Sequence, residues 1–455
     1  MKSSVITTGI ALVLVLSACG SGGGRSEDDV SADGKIVVEV AMDAGLEQNA
    51  IDAFNQRVTQ FEAAHSDVDI RPQEYTWTAA TFTSQLAGGT IPDVFTVPFT
   101  DGRGLIERKQ IADVSGEVAK LPYAKSFNPN VAKAGQSTDR TQWAVPIAAY
   151  GQALHYNRTL FTQAGLDPDD PPSTWDEVRV AAKQITARTG QAGYAQMTTD
   201  NTGGWILTTL DYAYGGRAEE LKGDKATATI DTPEMAKAVD LMRSMRWDDN
   251  SMGANFLYDW AGINQDFAAG RIGMYVSGGG NYGNLVTQNA LKPQDYGVTV
   301  LPLAKGGDAG VLGGGTLAVV SPKTGEKTRA AAVQWIDFFY VGKLTDKDAA
   351  VLNAKTQSDS GQPVGTPDLP VLDRATYDAQ QKWIADYVNV PVDQLEPYTS
   401  GMFDQPLVPE PAKSTQDVYK ILDTVVQTVL TDKDADVKAL LADAQSQAQA
   451  LLDRG

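Results

Sequence analysis

The chain has 455 residues, of which 42% are hydrophobic and 21% charged, with 38 Lys+Arg against 57 Asp+Glu. That length holds two or more compact units or one large enzyme, and the composition is globular rather than disordered. A single Cys excludes a disulfide-stapled scaffold. The formal net charge of −19 argues against a nucleic-acid partner, because phosphates need a basic surface to release counterions. Only His65 and His155 are available as imidazoles, which leaves little room for a His-rich metal site or a Ser-His-Asp triad.

At the start of the chain, Lys2 precedes an apolar run from Val5 to Leu16. A bilayer needs about 20 apolar residues, so this run reads as a signal-peptide core. It ends in Leu16-Ser17-Ala18-Cys19, which resembles the bacterial lipobox. That resemblance implies removal of residues 1–18, acylation of Cys19 and a membrane anchor on the extracytoplasmic face. Each buried CH₂ of such an anchor contributes about 0.8 kcal/mol. Residues 20–34, GSGGGRSEDDVSADG, hold nothing that can be buried and read as a flexible tether. No later stretch is long and apolar enough to span a membrane.

Beyond the tether, Ile36, Val38 and Val40 alternate with polar residues, which predicts a strand. Ile51, Phe54, Val58 and Phe61 recur at helical spacing and predict an amphipathic helix of about 17 residues. Val68 and Ile70 mark a second strand, Thr78 to Leu86 a helix stopped by Gly88-Gly89, and Ile91 to Val97 a third strand. This β-α-β-α-β order predicts a parallel, doubly wound sheet. Its ligand-facing strand ends are Met42 to Gly45 and Val97 to Asp101.

The centre of the chain is more helical. Trp175 to Thr189 follows a capping box, with Ser173 or Thr174 as N-cap and Glu177 as its acid. Helices are also expected over 205–214 and 232–246, and strands over 272–277, 298–301 and 317–320. Residues 413–452 read as amphipathic helix nearly throughout.

Residues 143–178 read WAVPIAAYGQALHYNRTLFTQAGLDPDDPPSTWDEV. Tyr156-Asn157, Leu160-Phe161, Ala164-Gly165-Leu166, Pro172 and Thr174 to Glu177 together resemble extracellular solute-binding proteins of bacterial ABC importers. The sugar-binding group that includes maltose-binding protein is the nearest pattern. Gly88 to Val94, Phe267 to Met274 and Tyr296 to Pro302 agree in order and spacing.

The resemblance implies an α/β periplasmic-binding-protein fold: two discontinuous lobes, a hinge and a central ligand cleft. The expected crossings lie near Pro146 to Gly151, Lys292 to Tyr296 and Val341 to Leu344. Lobe 1 is then 35–147 plus 296–342, and lobe 2 is 148–295 plus 343–455. The implied partners are a small carbohydrate, an ABC permease and its ATPase; a monomer without cofactor or metal is expected.

Sugars present apolar C–H faces and a rim of hydroxyls, suiting aromatic plates with carboxylates, amides and backbone N–H groups around them. Matching the family pattern puts Tyr150, Trp205, Asn281 and Tyr282 at ligand contacts. Asp43 and Asp101 stand at predicted strand ends. Gly280 closes the Gly278 to Gly280 turn, and Gly313-Gly314-Gly315-Thr316 lets backbone come close to a ligand, since Gly has no Cβ in the way. Trp77, Tyr258, Trp260 and Tyr419 are weaker candidates, while Trp143, Trp175 and Trp335 read as packing residues.

Gly278 to Gly283 fits G-x-G-x-x-G but lacks the βαβ context and acidic ribose partner of a dinucleotide site. Asn157-Arg158-Thr159 reads as structural rather than as a glycosylation site. Two alternatives remain: the same fold binding a glycerophosphodiester or peptide, and a secreted glycosidase. An anionic ligand needs Arg or Lys in the cleft, and only Arg103 and Arg217 lie near candidate positions.

Overall fold

A computed structural model describes residues 28–222 and 225–454, so Cys19 and the apolar run before it lie outside the described residues. The strands are β1 (Ile36–Met42), β2 (Val68–Glu74), β3 (Val94–Pro98), β4 (Val145–Asn157), β5 (Glu219–Lys222), β6 (Lys225–Ala228), β7 (Met274–Gly278), β8 (Tyr296–Val300), β9 (Val311–Val320) and β10 (Leu407–Pro409). β5 and β6 pair only with each other; the rest form one sheet of order β2-β1-β3-β9-β4-β7, with β8 on β4 and β10 on β9.

The first half of that sheet follows the sequence closely. β1 buries Val37, Val38 and Val40 and pairs in parallel with both β2 and β3. The helix between β1 and β2 spans Gln48–Ala64, 17 residues as its apolar spacing predicts. The next ends at Gly88, with Gly89 in the left-handed conformation (φ 70°) that releases a helix at low steric cost. Beyond β3 the sheet turns mixed, because β9 runs antiparallel to it.

β4 takes part in two ladders. Its residues Val145–Gly151 pair with β9, and Gln152–Asn157 pair with β7 and β8 instead. Pro146 to Gly151, where a crossing is expected, thus lies in the half of β4 that pairs with β9, and Tyr296, expected at the return crossing, pairs with Asn157 in the other half. Its ring explains the placement, being fully buried there against Tyr282 and His155.

β9 begins earlier than the expected strand over 317–320, taking in Gly313-Gly314-Gly315, and the use of glycine there is steric. A Cβ at Gly313 would collide with Tyr150 O, and one at Gly315 with Ala148 O and the Phe99 ring. Only glycine lets the two crossing strands run this close.

The capping box forms as read, with Thr174 rather than Ser173 as N-cap. The helix expected over 232–246 is α-helical over Pro233–Arg243 and continues as a π-turn, Ser244–Asp248. The C-terminal tail is two helices, Thr415–Thr431 and Val437–Leu452, with Asp436 capping the second through Ala439 N at 3.1 Å. Helices over Lys347–Asp359, Arg374–Ile384 and Val392–Thr399 had no counterpart in the sequence reading. Asn128 and Asn130 tie the loops around them to the first lobe, donating to Pro370 O (3.0 Å) and to Phe403 O (3.2 Å) and Gln405 O (3.1 Å).

This packing makes a direct prediction. Gly315→Ala should lower stability by about 1–3 kcal/mol through overpacking at the crossing. Gly283→Ala, where an added Cβ meets nothing within 4 Å, should leave it unchanged or slightly raised. Denaturant unfolding of both variants checks the difference.

Candidate functional site

The site begins at Tyr150, the last side chain on β4 before Gly151, where the strand changes partners. Its half-buried ring lies over β9, so that a Cβ at Gly314 would come within 2.8 Å of Tyr150 Oη. Gly314 is thus the seat of the ring. Trp205 meets Tyr150 edge-on, with centroids 6.4 Å apart and planes at 67°.

Trp205 is held there by the start of its helix, Thr202–Ala213. Gly203 and Gly204 let that helix press against Thr198 and the Tyr419 backbone, where any Cβ would collide. Asp423, from the helix Thr415–Thr431, caps it by accepting from Asn201 N (2.8 Å) and Gly204 N (2.7 Å). The Gly-Gly-Trp run is therefore a packing device that aims the indole.

Tyr419 and Glu410 complete the cluster. The Glu410 carboxylate stands among the polar ends of Tyr419, Trp205 and Tyr150, and burial raises its pKa. Trp205 Nε1 and Tyr419 Oη are buried and aim at that carboxylate. Glu410 carries no sequence signal, since Pro409-Glu410-Pro411 reads as a turn.

The first lobe supplies the facing wall. Asp43, Trp77, Pro98, Gly315 and Thr316 line a hollow of about 200 Å³. Gly315 and Thr316 follow Gly314 directly, so β9 runs from this hollow to the seat of Tyr150. Trp77 Nε1 is buried without a partner. Tyr340, from the π-turn Asp337–Val341, is pushed up to about 12 by burial and then by the Asp43 charge.

The remaining sequence candidates fall elsewhere. Asp101 sits in the first turn of the helix Phe99–Glu107, accepting from Thr100 Oγ1 at 3.0 Å, its pKa raised by burial. Asn281 is corrected to a structural role: its amide donates to Asn264 Oδ1 and to Tyr275 Oη, both at 2.9 Å, and it is buried. Tyr282 is corrected to a core residue, 1% exposed and packed on Tyr296. Gly280 lies against Asp368, whose carboxylate occupies the space of a Cβ, and Gly279 lies likewise against Tyr398. That packing, rather than a dinucleotide, accounts for the glycine-rich turn. Tyr258 is buried, while Trp260 is exposed at the start of its own helix.

The charged candidates are engaged as well. Arg103 pairs with Glu107 at 2.9 Å, and Arg217 donates to Asp308 O at 2.8 Å over the Tyr212 ring. His155 is fully buried, its Nδ1 2.8 Å from Tyr296 Oη and its Nε2 3.1 Å from Gly278 O. Burial lowers its pKa to about 4, so it is neutral at physiological pH. Asn157 caps the following helix by accepting from Leu160 N at 2.9 Å. Among the described residues, no group of three or more His, Cys, Asp or Glu is arranged to hold a metal.

A family model described as bacterial extracellular solute-binding protein matches residues 56–351. The chain belongs to that family. An sn-glycerol-3-phosphate-binding periplasmic protein of Agrobacterium fabrum is 25% identical over 242 residues, 51% of this chain and 52% of the relative. The chain thus spans about half the length of that curated relative in the match. The crystal structure of a cyclic α-maltosyl-1,6-maltose-binding protein from Arthrobacter globiformis superposes with TM-score 0.68 at 24% identity, covering 93% of this chain and 100% of that one. A Mycobacterium tuberculosis binding protein in complex with glycerophosphocholine gives TM-score 0.64 at 17% identity, covering 92% and 100%. This solute-binding protein therefore has the two-lobed fold of those structures. Among its described residues, no helix is long and apolar enough to cross a membrane.

The helix bearing Trp205 also holds a pH-sensitive charge. Asp211 is fully buried, neither carboxylate oxygen has a hydrogen-bond partner, and burial raises its pKa from 3.8 to about 8. Between those values the folded protein keeps a proton that the unfolded chain has lost, so this residue makes stability fall as pH rises. Asp211→Asn should flatten that decline in thermal midpoint across the same window. Equal slopes for wild type and variant would show that the carboxylate is ionised in the folded state.

Proposed function

We propose that this protein is the substrate-binding component of an ABC importer, capturing a neutral mono- or oligosaccharide between its lobes without chemically altering it. The observation that carries the reading is the mixed character of the cluster at the crossing strands. The partly exposed Glu410 carboxylate accepts, the Tyr150 hydroxyl beside it both donates and accepts, and the rings of Tyr150 and Trp205 offer apolar faces. A hydroxyl both donates and accepts, whereas a phosphate only accepts and an ammonium only donates. Sugar C–H faces suit the rings.

A glycerophosphodiester is the second reading, favoured by the Mycobacterium relative described in complex with glycerophosphocholine and by the Agrobacterium relative described as binding the monoester sn-glycerol 3-phosphate. The charge of the site weighs against it. Arg103 and Arg217 are spent on Glu107 and on backbone carbonyls, and an anion would approach Glu410 and Asp43.

In this reading the lobes divide within β4 after Gly151 and again between β8 and β9. Cys19 carries the lipid that holds the protein to the extracytoplasmic face of the membrane, near its permease and ATPase. Ligand shifts the open–closed equilibrium through its higher affinity for the closed form.

Titration with a panel of neutral saccharides, followed by Trp fluorescence and heat, should give saturable binding. Tyr150→Ala and Trp205→Ala should each weaken it by about 1–3 kcal/mol. Saturable binding of glycerol 3-phosphate or glycerophosphocholine, with no response to any saccharide, would replace this reading by the second.

A further inference from the structure

We propose that β5 is a self-association edge, along which two copies of this chain pair their hairpins as antiparallel strands about a two-fold axis at Leu221. This goes beyond the transport reading and departs from the expected monomer.

β5 and β6 form a ribbon of their own, paired Glu219↔Ala228, Glu220↔Thr227, Leu221↔Ala226 and Lys222↔Lys225. Its two edges differ. On β6, Ala228 N donates to Gln449 Oε1 at 2.9 Å and Ala228 O accepts from Gln445 Nε2, both on the helix Val437–Leu452. Side-chain amides thus cover that edge, which would otherwise be free to pair with another strand.

The same two bonds fix the phase of the ladder. Ala228 turns both backbone groups away from β5, so Glu219↔Ala228 is a non-hydrogen-bonded pair, and by alternation so is Leu221↔Ala226. Leu221 N–H and C=O therefore point out from the ribbon on the β5 side. Glu220, Leu221 and Lys222 are all exposed there, Leu221 by 47%.

Charge selects the occupant. Lysine on a short edge ordinarily deters pairing. In Glu220-Leu221-Lys222, however, a second copy turned about Leu221 sets each Glu220 opposite the partner's Lys222. Opposite charges facing across strands stabilise the pair, and like charges there destabilise it. Leu221 meets the partner's Leu221 in the hydrogen-bonded position, exchanging two N–H···O bonds with the two side chains adjacent. Such an isologous contact closes at two copies. One four-residue edge falls short of the roughly 1,200 Å² that a stable interface buries, so the pairing is weak and dissociates at micromolar concentration or above.

Sedimentation of the protein from micromolar to near-millimolar loading tests this. The weight-average mass of wild type should rise with concentration. Glu220→Lys and Lys222→Glu should each weaken association by about tenfold, because each sets like charges opposite one another. These two exchanges shift net charge in opposite directions, so an effect of overall charge would separate them. The double exchange restores opposite charges and should return affinity to within about threefold of wild type. Leu221→Pro removes the outward N–H while sparing the ladder bonds to β6, and should abolish the rise. Wild type that stays monomeric throughout overturns the proposal. So does a rise that survives either single exchange or Leu221→Pro, or a double exchange that fails to restore it.

Discussion

The whole arrangement depends on two strands running closer together than side chains normally allow. β4 and β9 are antiparallel neighbours at the crossing between lobes, and Gly313, Gly314 and Gly315 remove every Cβ that would hold them apart. Their closeness seats the Tyr150 ring over Gly314 and leaves Thr316 open to the first-lobe hollow. It also makes β4 the shared edge of both ladders, since its partners change between Gly151 and Gln152.

Around that seat, long-range packing assembles groups that sequence leaves far apart. Tyr150, Trp205, Glu410 and Tyr419 come from the crossing strand, a second-lobe helix, the turn after β10 and a C-terminal helix. Each is positioned by something unrelated to a ligand: glycine contacts, the Asp423 cap and the pairing of β10 with β9. The Glu410 carboxylate is partly desolvated there; in the proposed reading a ligand hydroxyl that donates to it is held best when the lobes are shut, and that difference in affinity would make closure follow binding.

How much of this was legible in the sequence depended on the range of the interactions. Short-range signals held: the valine alternation of β1, the helix from Gln48 to Ala64, the Gly89 stop and the Thr174–Glu177 capping box each act within a few residues. The lobed fold was legible through the motif around Tyr156-Asn157, and the structure brings Tyr150 and Trp205, chosen by their places in that pattern, edge to edge. What sequence hid depended on distant partners. Asn281 and Tyr282 follow the expected turn, but Asn264, Tyr275 and Tyr296 bury them. Nothing local reveals the strand that passes beside the triple glycine. Glu410 gave no local sign, since Tyr150 and Trp205 stand around it from far earlier in the chain. The pairing of β8 with β4 was hidden in the same way.

The most direct measurement is a crystal structure of the protein grown with a saccharide that titrates saturably. The account predicts ligand density between the lobes, one ring stacked on Tyr150 or Trp205, with a hydroxyl within hydrogen-bonding distance of the Glu410 carboxylate. Density lodged away from the crossing strands, for example in the groove beside Trp383 and Phe338, would contradict it.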